Sequence, residues 1–146
     1  MGGMGVLVGT FDHRMDSKGR MVLPARFREE LGNQVVATIG IDRCVALYSL
    51  PNWHRLLEKL QNLPMSKGRT RDFLRVLLAS ATEMDFDSMG RILLPQFLRQ
   101  HGGIKQEVAV IGVGDHLEIW DSSNWTVHRG EILEALPSIA EEVEGL

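Results

Sequence analysis

Asp16-Ser-Lys-Gly-Arg-Met-Val-Leu-Pro-Ala-Arg-Phe-Arg-Glu-Glu-Leu-Gly32 is written a second time as Asp87-Ser-Met-Gly-Arg-Ile-Leu-Leu-Pro-Gln-Phe-Leu-Arg-Gln-His-Gly-Gly103. Eight of the 17 aligned positions are identical. The offset is 71 residues here and 72 further on, where Gly40, Tyr48 and Trp53 face Gly112, Trp120 and Trp125. Two copies of one supersecondary unit predict internal pseudo-symmetry. Paired copies of a site suit a repetitive partner, and DNA is the commonest of these.

Each copy reads in the same order. An extended segment (residues 6–15; 81–86) runs into Asp-Ser-x-Gly-Arg, a turn with glycine available for a positive φ. A short apolar strand follows, then Pro24 or Pro95, suited to a first helical turn where a missing N–H costs nothing. The brief helix ends at Gly32 or Gly102-Gly103, which fit a left-handed cap. A β-hairpin closes the unit, over residues 35–39 and 44–48 in one copy and 107–111 and 116–120 in the other. Gly112-Val-Gly114 then reads as the second hairpin turn.

Between the copies, Trp53, Leu56, Leu57, Leu60 and Leu63 fall at i, i+3, i+4, i+7 and i+10, one apolar face of a helix. Residues 64–68 break it. Leu74, Leu77, Leu78 and Ala81 mark a second amphipathic helix, with Lys67, Arg69, Arg71 and Arg75 on its early turns. A further helix is predicted from about residue 124 to 136, with Pro137 near its end. The expected division is 7–55 for the first repeat, 56–79 for a helical insert, 80–126 for the second repeat and 127–146 for a C-terminal helix and acidic tail.

The 146 residues suffice for one domain or two small units sharing a core. Ordinary composition excludes fibres and disorder, and no apolar run reaches membrane-spanning length. Residues 1–5 read as a loose glycine-rich lead. The lone Cys44 provides no disulfide framework and no thiolate metal site, so a reducing cytoplasm is expected. Net charge is −3, yet setting aside Arg129 and the five glutamates beyond His128 leaves 15 basic against 14 acidic residues. Such a near-neutral body can carry a local basic face, so charge neither supports nor excludes a nucleic-acid partner. Histidines 13, 54, 101, 116 and 128 show no metal-ligand spacing, and neither a metal nor a cofactor is expected. Nor is a catalytic constellation apparent, so the chain is not read as an enzyme and no small-molecule substrate is expected.

Two readings of the Asp-x-x-Gly-Arg turns stand side by side. In one, glycine supplies turn geometry and an Asp–Arg pair gives local order. In the other, the aspartate aims a planar guanidinium that bonds guanine O6 and N7 in the major groove, while Lys18 adds a phosphate-seeking charge.

The run from Lys18 to Gly32 resembles the swapped-hairpin domain of AbrB-type DNA-binding proteins. The tandem pattern is more specific. Gly9-x-Phe-x-His13, Asp16-x-Lys-Gly-Arg20, Asp42-Arg-Cys44, Trp53, Ala81-Thr-Glu83, Gly112-Val-Gly114 and Glu118-Ile-Trp120 together resemble the MraZ family, over roughly residues 7–126. That resemblance implies an α+β fold of two AbrB-like swapped-hairpin units in a pseudo-symmetric small barrel, with a helical insert and a C-terminal helix. It implies a cytoplasmic, nucleoid-associated transcriptional regulator of the bacterial division and cell-wall gene cluster. Its target would be double-stranded DNA, as short direct repeats upstream of its own operon. A ring-shaped homo-oligomer is also implied, with Trp53, Leu56, Leu57 and other insert apolars as candidate contacts.

The family's Asp-x-x-x-Arg motif falls on Asp16 and Arg20 and again on Asp87 and Arg91, with Arg14 and Lys18 as further candidate DNA contacts. Lys18 faces Met89 and Arg14 faces Asp85, so the copies are expected to contribute unequally. Arg26, Arg28 and Arg99 are assigned structural or salt-bridge roles. The alternative is an AbrB-like, antitoxin-type protein-interaction module working through its tail or helices.

Overall fold

The computed structural model describes residues 6–145; the glycine-rich lead at residues 1–5 lies outside them. The first copy comprises β1 (Leu7–Arg14), β2 (Arg20–Val22), α1 (Ala25–Leu31), β3 (Gln34–Ile39), β4 (Val45–Ser49) and α2 (Leu50–Gln61). After α3 (Gly68–Ala79) the order recurs as β5 (Thr82–Asp85), β6 (Arg91–Leu93), α4 (Gln96–Gly102), β7 (Glu107–Gly114), β8 (Leu117–Asp121) and α5 (Ser122–Glu142). The cap positions recur as well. Ser49 Oγ accepts from the Asn52 N–H and Asp121 Oδ2 from the Asn124 N–H, each satisfying a free donor of the helix that follows.

The copies exchange strands. One antiparallel sheet runs β1-β7-β8-β4-β3-β5, so each copy's first strand lies against the other copy's hairpin. The pseudo-twofold passes between β4 and β8. Strands β2 and β6 pair only with each other, as a two-stranded ribbon. The ribbon joins sheet edges β1 and β5 through the two Asp-Ser-x-Gly-Arg turns and so completes a barrel-like enclosure.

Strand alternation fills that enclosure. Val35, Ala37, Val45, Leu47, Val108, Val110, Leu117 and Ile119 point inward from the sheet, and Met21, Leu23, Ile92 and Leu94 from the ribbon segments. Phe27, Leu31 and Leu98 plug the openings from α1 and α4. On the sheet's other face, α2 packs Trp53 with Leu56 and Leu57 over Val36, Ala46 and Tyr48. At the mirror position Trp125 of α5 lies on Trp120, their ring centroids 5.3 Å apart. Helix α3 is held to β3 by the buried Thr38 hydroxyl, which donates to the Leu77 carbonyl at 2.7 Å.

Several expectations are corrected. Pro24 and Pro95 are N-caps rather than first-turn residues, in extended conformation. Gly103 is left-handed (φ 61°, ψ 29°), but Gly32 pairs φ 83° with an extended ψ of −169°. Gly112-Val-Gly114 is strand, not turn, and the reversal falls at Asp115 and His116. Glycine is required at 112 because a Cβ there would sit 2.5 Å from the Leu7–Val8 peptide of the crossing β1. Helix α5 carries through Pro137 to Glu142: Pro137 is exposed, so water can take the Leu133 carbonyl left without its i+4 donor. Trp53 is 6% exposed and turned onto the sheet, so it is internal packing rather than a free subunit contact.

Candidate nucleic-acid interface

Both turns are built alike, atom for atom. In the first, Asp16 Oδ1 accepts the backbone N–H groups of Lys18 and Arg20, each at 2.9 Å. Its Oδ2 accepts Arg20 Nε at 2.7 Å. The Gly19 N–H donates to the Asp16 carbonyl at 3.0 Å, and Gly19 at φ 88° turns the chain so that the Asp16 N–H meets the Arg20 carbonyl at 2.9 Å. In the second, Asp87 Oδ1 takes the N–H groups of Met89 and Arg91 at 2.9 Å, Oδ2 takes Arg91 Nε at 2.7 Å, and Gly90 sits at φ 75°. The hydrogen bonds of the Arg20 N–H, the Arg20 side chain and the Lys18 N–H hold the Asp16 carboxyl down, to about 2 from the ordinary 3.8. The matching donors lower Asp87. Both aspartates are ionised at neutral pH, and each accepts three hydrogen bonds from its own turn.

This geometry decides what the arginines can do. With Nε engaged, each guanidinium keeps its terminal Nη1/Nη2 edge, a planar pair of donors matched to two acceptors side by side. In the ribbon, Met21 and Ile92 are 1% exposed and point into the core, so their neighbours point outward. Arg20 lies opposite Leu93, and Arg91 opposite Val22. The two arginines are therefore diagonal neighbours on one outward face, with Cα atoms roughly 7–8 Å apart. Exposed Leu93 and half-buried Val22 share that face.

The remaining predicted residues divide. Lys18 is exposed beside the first turn, and among the described residues no hydrogen bond or ion pair holds its ammonium. Its counterpart Met89 is 66% exposed, an apolar tip where the first turn has a cation. Arg14, the last residue of β1 and two before Asp16, takes no part in the turn: it pairs across the strands with Glu107 at 3.0 Å. Both side chains are exposed, so the pair contributes little to stability.

The short-helix arginines were only half understood from sequence. Arg26 donates to the Thr10 carbonyl at 3.3 Å and stacks over Phe27. Arg28 and Arg99 donate Nε to the Leu23 and Leu94 carbonyls at 2.9 and 3.0 Å. Among the described residues none of the three forms a salt bridge. Arg28 and Arg99 thus leave two uncompensated charges beside two Asp–Arg pairs that are internally neutral. No carboxylate pairing in the sequence could have located them.

Cys44 and several of the histidines are used in packing or main-chain contacts. Cys44 is buried and its thiol is pushed up to about 12, first by burial and then by Glu118 and Asp42. His116 stacks on Tyr48, His128 on Trp120 and His13 on Phe11. His101 Nε2 lies 3.0 Å from the Gly40 carbonyl. Among the described residues, no three His, Cys, Asp or Glu side chains converge as a metal site would need. Among the described residues, no helix is long and apolar enough to cross a membrane.

A family profile described as "MraZ protein, putative antitoxin-like" matches twice, over residues 6–76 and 77–142. The chain is 43% identical over 141 residues to a protein of Caldicellulosiruptor bescii named "Transcriptional regulator MraZ", covering 97% of this chain and 99% of the relative. It is 42% identical over 139 residues to a protein of the same name from Caldanaerobacter subterraneus subsp. tengcongensis, covering 95% and 97%. A third, from Acetivibrio thermocellus, is 41% identical over 135 residues, covering 92% and 94%. The chain belongs to the MraZ family.

Proposed function

We propose, with membership of this family as the premise, that the chain is a DNA-binding transcriptional regulator and not an enzyme, and that the β2–β6 ribbon is its reading element. One observation carries the reading: Arg20 and Arg91 stand on a single outward ribbon face, each tied through Nε to its own aspartate and each with its Nη edge free. A two-stranded ribbon fits the major groove, and a bidentate arginine selects guanine there. A diagonal separation of roughly 7 Å corresponds to about two base-pair steps. One chain would then address two nearby bases, with Lys18 on a phosphate and the unpaired Arg28 and Arg99 raising the local potential.

A lone ribbon offers few contacts on a chain of net charge −3. Affinity therefore comes from several copies, arranged as a ring and binding by avidity. Trp53 is buried and Leu56 and Leu57 are half-buried against the sheet, so the ring contacts fall first to apolar residues left exposed. Phe73 and Val76 on α3, and Leu133, Leu136 and Ile139 on α5, are among them. Successive ribbons would meet direct repeats spaced by about one helical turn, ~10 bp, upstream of the chain's own operon in the division and cell-wall gene cluster. Such a protein works in the cytoplasm, on the nucleoid. The test is a binding titration on repeat arrays of varied spacing. Affinity should peak near one helical turn and fall at half-turn offsets; equal binding at every spacing contradicts the geometry.

The antitoxin-like description of the family favours a second reading, a protein-interaction module using the acidic tail at the end of α5. Truncation after residue 140 separates the two. Lost partner capture with DNA binding intact supports the module; unchanged capture opposes it.

A further inference from the structure

We propose that Arg99 and Arg28 are positioning residues acting across the repeat: Arg99 of the second copy braces the Arg20 turn of the first, and Arg28 of the first braces the Arg91 turn of the second. The proposal rests on the turns being the DNA-reading elements. Its physical basis lies in four contacts. The Leu94 N–H donates to the Gly19 carbonyl at 2.9 Å, and the Leu23 N–H to the Gly90 carbonyl at 3.3 Å. Each leucine's own carbonyl, in turn, accepts Nε of the arginine five residues on.

That second bond lays the guanidinium against the glycine of the opposite turn. A Cβ on Gly19 would meet Arg99 Nε at 2.7 Å and Cζ at 2.9 Å; one on Gly90 would meet Arg28 Cζ at 3.0 Å. Both arginines are half-buried. A planar cation so confined limits where the turn backbone can move, and Gly19 directly precedes the arginine whose direction matters.

Neither copy therefore holds a finished reading turn by itself. The aspartate in each turn organises the loop from within, and the other copy's leucine and arginine hold it from behind. Lysine is a poor replacement, because an ammonium on a flexible stem has no plane to lay against the glycine. The duplication thus supplies more than a second arginine: each repeat is the scaffold of the other's site.

The experiment uses the full chain with Arg99→Ala, Arg99→Lys and Arg28→Ala. Backbone amide exchange by NMR is followed at Lys18 and Arg20 and at Met89 and Arg91, the donors to the two aspartates. Arg99→Ala should speed exchange at Lys18 and Arg20 on the order of tenfold and leave Met89 and Arg91 protected. Arg28→Ala should do the reverse. Should Arg99→Ala fail to fold, Arg99→Lys gives the same pattern in weaker form.

Repeat-DNA preference supplies the second arm. Added to Arg20→Ala, Arg99→Ala should cause no further loss; added to Arg91→Ala, it should cause its full loss. Faster exchange in the same copy's turn, in both turns equally or in neither overturns the proposal. If the unsubstituted chain shows no repeat preference, the DNA reading fails, while the exchange pattern still judges the brace.

Discussion

Replacing Gly19 with alanine should cost far more than a methyl group ordinarily does, for two reasons that can be measured apart. The first is backbone conformation: Gly19 has φ 88°, where an L-residue is strained by about 1–2 kcal/mol. The second is space. The new Cβ would lie 2.9 Å from the Leu94 carbonyl oxygen and 2.7 Å from Arg99 Nε, so the ribbon must part or the guanidinium leave its carbonyl. Losing a hydrogen bond of that kind costs about 1–3 kcal/mol. Gly32 provides the control, since it has φ 83° and no atom within 4 Å of its would-be Cβ. Gly32→Ala should therefore cost about 1–3 kcal/mol, the strain of a glycine-only backbone alone, and Gly19→Ala about 2–5 kcal/mol. Urea unfolding followed by the fluorescence of Trp53, Trp120 and Trp125 measures both. A Gly19→Ala loss that Arg99→Ala does not relieve would refute the claim that the other copy's residues crowd this turn.

Three further outcomes follow from the same turns and surfaces. The Asp16 carboxyl, followed by NMR, should titrate near 2 rather than 3.8. Because folding lowers it, its contribution to stability is present above about pH 4 and is lost as pH falls through about 2. In Arg20→Ala the midpoint should rise only part way, since the Arg20 and Lys18 backbone donors remain; full recovery of 3.8 would mean that the side chain alone held it. Lys18→Met, which copies the second turn, should weaken binding to repeat and scrambled DNA alike and flatten the salt dependence by about one phosphate contact; a selective loss on repeats would make Lys18 a base reader. Leu136→Glu on the exposed run of α5 should shrink the oligomer in light scattering while changing the subunit's unfolding free energy by no more than about 0.5 kcal/mol; an unchanged particle mass would place the contact elsewhere.

Much of this architecture could be read from the chain because the diagnostic residues are local. Aspartate, glycine and arginine at fixed offsets specify a turn wherever they occur, and the repeat of that spacing revealed the duplication. Strand exchange was not legible in the same way. The alternation in β1 serves equally against its own hairpin or against β7, and only the packed fold selects between them. The Gly112 segment was misread because glycine marks close backbone approach as well as turns, and nothing nearby announced the crossing of β1. Helix α5 outran its proline because an exposed carbonyl can turn to water. The bracing arginines were hidden for a related reason: their partners are main-chain carbonyls and glycines, which leave no complementary side chain to notice.

The central claim is that Arg20 and Arg91 read DNA together from one ribbon face. Its most direct test is the ratio of affinities for direct-repeat and scrambled DNA at fixed salt, for the unsubstituted chain, Arg20→Ala, Arg91→Ala and the double variant, with particle mass monitored throughout. A bidentate contact discriminates by about 1–3 kcal/mol. Each single change should therefore lower the ratio roughly 5- to 150-fold per engaged ribbon, and the double change should abolish it; the aspartates left unpaired should weaken binding to both DNAs alike, which the ratio cancels. A double variant that keeps both its particle mass and its repeat preference would contradict the account.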